Sequence, residues 1–149
     1  MGYAAQQDAI RAHVLAESAV SSIAWDGMGG TSLTPPSFDP ASPSVSSIWI
    51  RPSISGSPVD PLGFGSGQLL DRKTGIATVQ VFVPKAMSPE LFEAVLEDCA
   101  AIFRNRTISG FRFGPSSRPQ PIAAGAEAPF RQFNIVTSFV LDEAFEEAA

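Results

Sequence analysis

The chain has one cysteine, one histidine and fewer basic than acidic residues. No apolar run in it approaches the length of a membrane span. Each shortage closes off a class of function. A lone Cys99 cannot form an internal disulfide, which excludes a disulfide-stapled scaffold. It also falls among apolar residues at helical spacing, the place of a small buried core residue rather than a reactive thiol. A Ser–His–Asp hydrolase would have to use His13, which lies in a helical stretch with no nucleophile motif beside it. With no second histidine and no Cys/His cluster, His13 reads as a surface or half-buried side chain and not as a metal ligand. Ten Lys and Arg against fifteen Asp and Glu give a formal net charge of −5. That balance, without aromatic–basic interleaving, argues against nucleic-acid binding as the main function. The adjacent pair Arg72–Lys73 is the exception to keep in view. The first residues, with Asp8 and little positive charge, lack a signal-peptide pattern, so the expected site of folding is a cytoplasm.

Other catalytic and ligand patterns fail on geometry. Glu97–Asp98 and Glu146–Glu147 are sequence neighbours, and adjacent helical positions point in different directions, so they make solvated faces rather than acid–base pairs. No D-x-D-x-D run offers oxygen ligands to a metal. The GFGSG run at 63–67 lacks a following GK[ST] and precedes a strand rather than opening a helix, so it reads as a flexible hairpin tip. No catalytic, cofactor-binding or metal-binding residue is expected, and the chain reads as non-enzymatic.

What is present is a single domain's worth of sequence, 149 residues with 13 prolines and 12 glycines. Most of these punctuators fall in two long connections, about 27–47 and 55–71, where central strands and helices are disfavoured. The stretch from Lys73 to Gly114 reads as strand, helix, strand. Ala77, Val79, Val81 and Val83 alternate with Ile76, Thr78, Gln80 and Phe82, and Pro84 closes the strand. In the helix, Ser88 is the expected cap, Pro89 and Glu90 suit the first turn, and Met87 and Phe92 can staple its start. Leu91, Phe92, Val95, Leu96, Cys99, Ile102 and Phe103 define its apolar stripe. Glu93, Glu97 and Asp98 face away, and Arg104 and Arg106 favour its carbonyl end. The stretch TISGFRFG is the strand that follows.

An alanine-rich helix is expected from Tyr3 to about Val20, with Ile10 and Val14 toward an edge of a sheet. Ser22–Asp26 is expected as a short strand anchored by Trp25. Ile48–Ile54 reads as a strand in which Pro52 marks an edge or a bulge. It is expected to pair with the Lys73 strand as an antiparallel hairpin with an extended tip. Residues 115–129 read as a loop. In Phe130–Leu141 the residues Phe133, Ile135, Thr137, Phe139 and Leu141 share a face. The acidic end, 142–149, is expected to be mobile or to form an interaction surface. The sum is an α+β domain: a mainly antiparallel sheet of about four to five strands, two helices on one face, and long projecting loops.

This order of elements, with the IWIRPSI strand, the Gly-rich tip leading to Arg72–Lys73–Thr74–Gly75 and the VQVFVP strand, resembles a family. It is similar to the tail-terminator proteins of long-tailed phages, the group of the minor tail protein U of lambda-like phages, a component that gene-transfer particles share. The resemblance covers nearly the whole chain. It implies a structural virion protein, made in the host cytoplasm, that closes a homohexameric ring at the head-proximal end of the tail tube. The ring caps the tube protein, stops polymerisation and offers a surface to the neck or head-completion protein. DNA passes through it without specific binding, and no membrane is involved. On that reading Phe64, Gln68, Leu69, Arg72 and Lys73 face the tube or the adjacent subunit. Leu33, Phe38, Asp142, Glu143, Glu146 and Glu147 face the neck or a neighbouring subunit. A head–tail connector or neck protein is the nearest alternative; a tail-tube protein and a small cytoplasmic enzyme are more distant ones.

Overall fold

Two seventeen-residue strands form the spine of the molecule, paired along their whole length from Gln68↔Glu146 to Pro84↔Phe130. At the usual rise per residue each spans about 55 Å, far more than one small core can cover. The computed structural model describes residues 3–20, 22–25, 45–65, 68–122 and 129–146, by their backbone alone at 3–5, 45, 57–65, 68–71 and 142–146. In chain order the elements are helix α1 (Tyr3–Glu17), strand β1 (Ser22–Ile23), a 3-10 turn (Val45–Ser47), β2 (Trp49–Gly65), β3 (Gln68–Pro84) and helix α2 (Pro89–Ala101). Strands β4 (Thr107–Ile108), β5 (Phe111–Ser116), β6 (Gln120–Ile122) and β7 (Phe130–Glu146) follow.

The fold is α+β, two helices on a seven-stranded mixed sheet curled into a half-barrel. Strand order is β1-β2-β3-β7-β5-β4, with β6 also paired to β7. Among the described strands β1–β2 is the one parallel pairing and the others are antiparallel. Seven strands replace the expected four to five for two local reasons. TISGFRFG is a tight hairpin and not one strand, because Ser109 (φ 47°) and Gly110 (φ 89°) take the left-handed pair that a two-residue turn requires. Part of the expected 115–129 loop is strand, since β5 runs on to Ser116 and β6 pairs with Asn134, Phe133 and Gln132.

The alternation read from β3 holds. Ala77, Val79, Val81 and Val83 are fully buried, while Ile76 on the other face is exposed. They share one core with Ile50 of β2, Ile135, Phe139 and Leu141 of β7, and Phe111 and Phe113 of β5. Both helices contribute to this same core, α1 through Ile10 and Val14, α2 through Phe92, Val95, Leu96, Cys99 and Ala100. Trp25 packs partly buried against it. Pro52 sits where β1 no longer flanks β2, the edge position that a missing N–H permits.

Three helix details depart from expectation. Ser88 is extended (φ −74°, ψ 149°), but its side chain makes no capping hydrogen bond. Leu91 is half exposed, because it lies about 100° around the helix from Phe92, outside the buried stripe. Ile102 and Phe103 are buried but fall beyond the last helical residue. There Asn105 (φ 53°) turns the chain and its N–H donates to the Gly114 carbonyl. Arg106 Nε donates to the Ala101 carbonyl at 3.3 Å, as the helix end favours.

Candidate interaction surface

The two connections read as loops fare differently. Residues 27–44 lie outside the described residues, and Leu33 and Phe38 with them. The expected loop at 55–71 is a correction: β2 runs on to Gly65 and β3 begins at Gln68. Its glycines and prolines are accommodated by two irregularities in the ladder, between Gly56 and Val59 and between Pro61 and Gly63. The acidic end is a second correction. Asp142–Glu146 is not a free tail but the last part of β7, held against Gln68–Arg72. Glu147 lies outside the described residues.

These two corrections produce one feature, a three-stranded arm. Beyond Lys73 and Leu141 the neighbouring β5 has ended, since its pairing reaches no further than Phe111↔Leu141. Among the described residues only β2, β3 and β7 continue. Eight of the residues expected at two separate surfaces come together on it: Phe64, Gln68, Leu69, Arg72 and Lys73 from one, Asp142, Glu143 and Glu146 from the other. Arg72 pairs with Asp142 on one side and Asp60 on the other, so one cross-strand row reads acidic, basic, acidic. Leu69 pairs with Phe64 and with Phe145, which puts three large apolar residues in one row near the end of the arm. Gln68 pairs with Glu146 and with Gly65. Lys73 lies between Val59 and Leu141, and Asp71 is opposite Glu143, a like-charge pair. Asp60 and Phe145 are the residues that sequence reasoning missed. The pattern contained them, but only the register shows which strands they join.

At the root of the arm is an open depression of about 730 Å³ lined by residues including Ile76, Arg112, Phe113, Phe139 and Val140. Gly75 belongs to it. A Cβ there would run into the Ser55 carbonyl oxygen and lie 2.6 Å from Phe139 Cζ, so only glycine lets β2 and the Phe139 ring approach so closely. The sheet face opposite the core carries an aromatic group that was not anticipated. Trp49 stacks on Phe82 with ring centroids 3.9 Å apart, Phe130 meets it edge-on, and the Arg51 guanidinium lies 5.5 Å from its ring.

The titratable groups singled out from sequence have structural surroundings. His13 is half-buried with Nε2 2.6 Å from the Ile102 carbonyl oxygen; a carbonyl only accepts, so this nitrogen carries the proton and is not free to act as a base. Cys99 is buried, and burial first, then the charge of Asp98, pushes its thiol up to about 12. Among the described residues no group of three or more His, Cys, Asp or Glu could hold a metal ion. No helix among them is long and apolar enough to cross a membrane.

No family model matches the chain, and no curated protein does. Chains of solved structure do match it. One, of a protein whose name states no function, aligns over 96% of this chain and 98% of its own, with a TM-score of 0.50 and 18% identity. A likeness at that identity speaks for the fold alone.

Proposed function

We propose that the chain is a structural subunit of a phage tail or gene-transfer particle, a tail terminator that closes a hexameric ring on the head-proximal end of the tail tube. The observation that carries this reading is the arm. A small two-helix core needs no strands of this length to fold, yet β2, β3 and β7 continue together beyond it. Paired strands outside a core are useful as a surface for other chains. The element order on which the resemblance rests is kept, from the N-terminal helix through the long hairpin and α2 to the late strand. A head-to-tail ring needs two different side surfaces on each subunit and two different ends. The arm and the helical side are chemically distinct enough to serve. The arm carries the basic pair and the apolar row, whereas α2 exposes Glu90, Glu93, Glu97 and Asp98.

On this reading the partners are other copies of the chain, the tube protein and a neck or head-completion protein, and the site of action is the virion tail. The test is electron microscopy of the purified, concentrated protein with and without magnesium. Closed rings that do not stack support the terminator. Continuous tubes reassign the chain to the tube protein. If only monomers form, deletion of the gene decides: overlength tails support a terminator, and tails of normal length detached from heads indicate a neck protein.

A further inference from the structure

The arm has two outer edges, and they are built differently. The β2 edge is interrupted: prolines stand at 58 and 61, and the ladder is irregular at Gly56/Val59 and at Pro61/Gly63. Proline removes a backbone donor and a bulge twists an edge away, and both are ways a sheet blocks the addition of another strand. The β7 edge has none of these. Its ladder against β3 is unbroken for all its pairs, and 130–146 contains no proline or glycine. Past Leu141 no described strand pairs with its outer side.

An open, regular edge of this kind takes another strand through its backbone groups. The charge of the segment selects which strand. Asp142, Glu143 and Glu146 give the edge three carboxylates and no cation. A second copy of β7 would set these against each other, which is unfavourable across a strand pair. The β2 edge of a second copy is blocked by its prolines. We infer that the β7 edge at Asp142–Glu146 is a strand-addition site for an extended basic segment of another protein, with cationic residues opposite positions 142, 143 and 146. The inference goes beyond the ring reading and does not rest on it. It also constrains that reading, because copies of this chain would not join arm edge to arm edge.

The test uses the full chain and three synthetic peptides, so no variant has to fold. The first is an extended peptide with the core Lys-Val-Thr-Lys-Lys. The second replaces each lysine by glutamate. The third keeps the lysines but is N-methylated at alternate amides, so that it retains charge and loses strand pairing. Titration is expected to give the first peptide an affinity at least about tenfold above both others, the sum of several cross-strand charge pairs and backbone bonds. Hydrogen exchange should show new protection confined to the amides of Asp142–Glu146. Equal binding of the N-methylated peptide would mean charge attraction without strand addition and overturns the inference. Protection elsewhere, binding of none of the three, or self-association of the protein through this edge overturns it as well.

Discussion

Gly75 and Cys99 mark the limits of what single residues disclose. Cys99 was legible, because its burial follows from helical spacing within its own segment. Its raised titration has a sign that can be checked. A thiol held up to about 12 against an ordinary 9.0 favours the folded state at and below the ordinary value, and that contribution is lost as pH rises from 9.0 toward 12. Thiol reagents should therefore leave the native protein unmodified near neutral pH and label it only on unfolding. Between those two values the unfolding midpoint of the wild type should fall more steeply than that of Cys99→Ala; parallel slopes would show that the thiol is not coupled to folding. Gly75 was not legible, because the atoms that forbid a side chain there come from Ser55 and Phe139, distant in sequence. Gly75→Ala is expected to destabilise by about 1–3 kcal/mol, the usual cost of overpacking against backbone that cannot move aside. Chemical denaturation measures it, and a change below about 0.5 kcal/mol, the scatter of ordinary surface substitutions, would refute the tight crossing.

At the level of elements, local periodicity identified β3, α2 and the core half of β7 because each buries one face and the pattern lies within the segment. The distal halves of β2, β3 and β7 are illegible in the sequence for the opposite reason. Glycine, proline and acidic residues have turn or coil character on their own, and only mutual pairing makes them strands. A polar link that no periodicity predicts joins three elements: Ser116 Oγ donates to the Ala100 carbonyl at 2.9 Å and lies 2.6 Å from Thr137 Oγ1, with Thr137 buried. Thr137→Val keeps the shape and removes one partner, so a loss of about 1 kcal/mol is expected in the unfolding free energy. The arm makes a stronger demand. Truncation after Leu141 removes the strand that pairs with Gln68–Arg72. Hydrogen exchange should then accelerate at Gln68–Arg72 while the amides of Val79–Val83, inside the core, keep their protection. Accelerated exchange in both places would mean that arm and core fold as one unit.

For the whole molecule, the arm's charge rows decide how an assembly defect is to be read. Reversing Arg72 and Lys73 together is the direct test of their part in assembly, but the two residues are not equivalent. Arg72 stands between Asp60 and Asp142, so Arg72→Glu makes that row wholly acidic and weakens the arm itself. Lys73 stands between Val59 and Leu141, where reversal creates no like-charge row. If the arm contacts the tube or a neighbouring subunit through its basic pair, Lys73→Glu alone should reduce ring or particle assembly while leaving exchange at Gln68–Arg72 unchanged. Arg72→Glu should reduce assembly and accelerate that exchange together. Particles assembled normally with Lys73→Glu would remove Lys73 from the interface. If the double reversal also assembled normally, the arm's basic pair would have no part in assembly. The terminator reading would then depend on the helical side and on the acidic β7 edge, the second of which the strand-addition experiment probes directly.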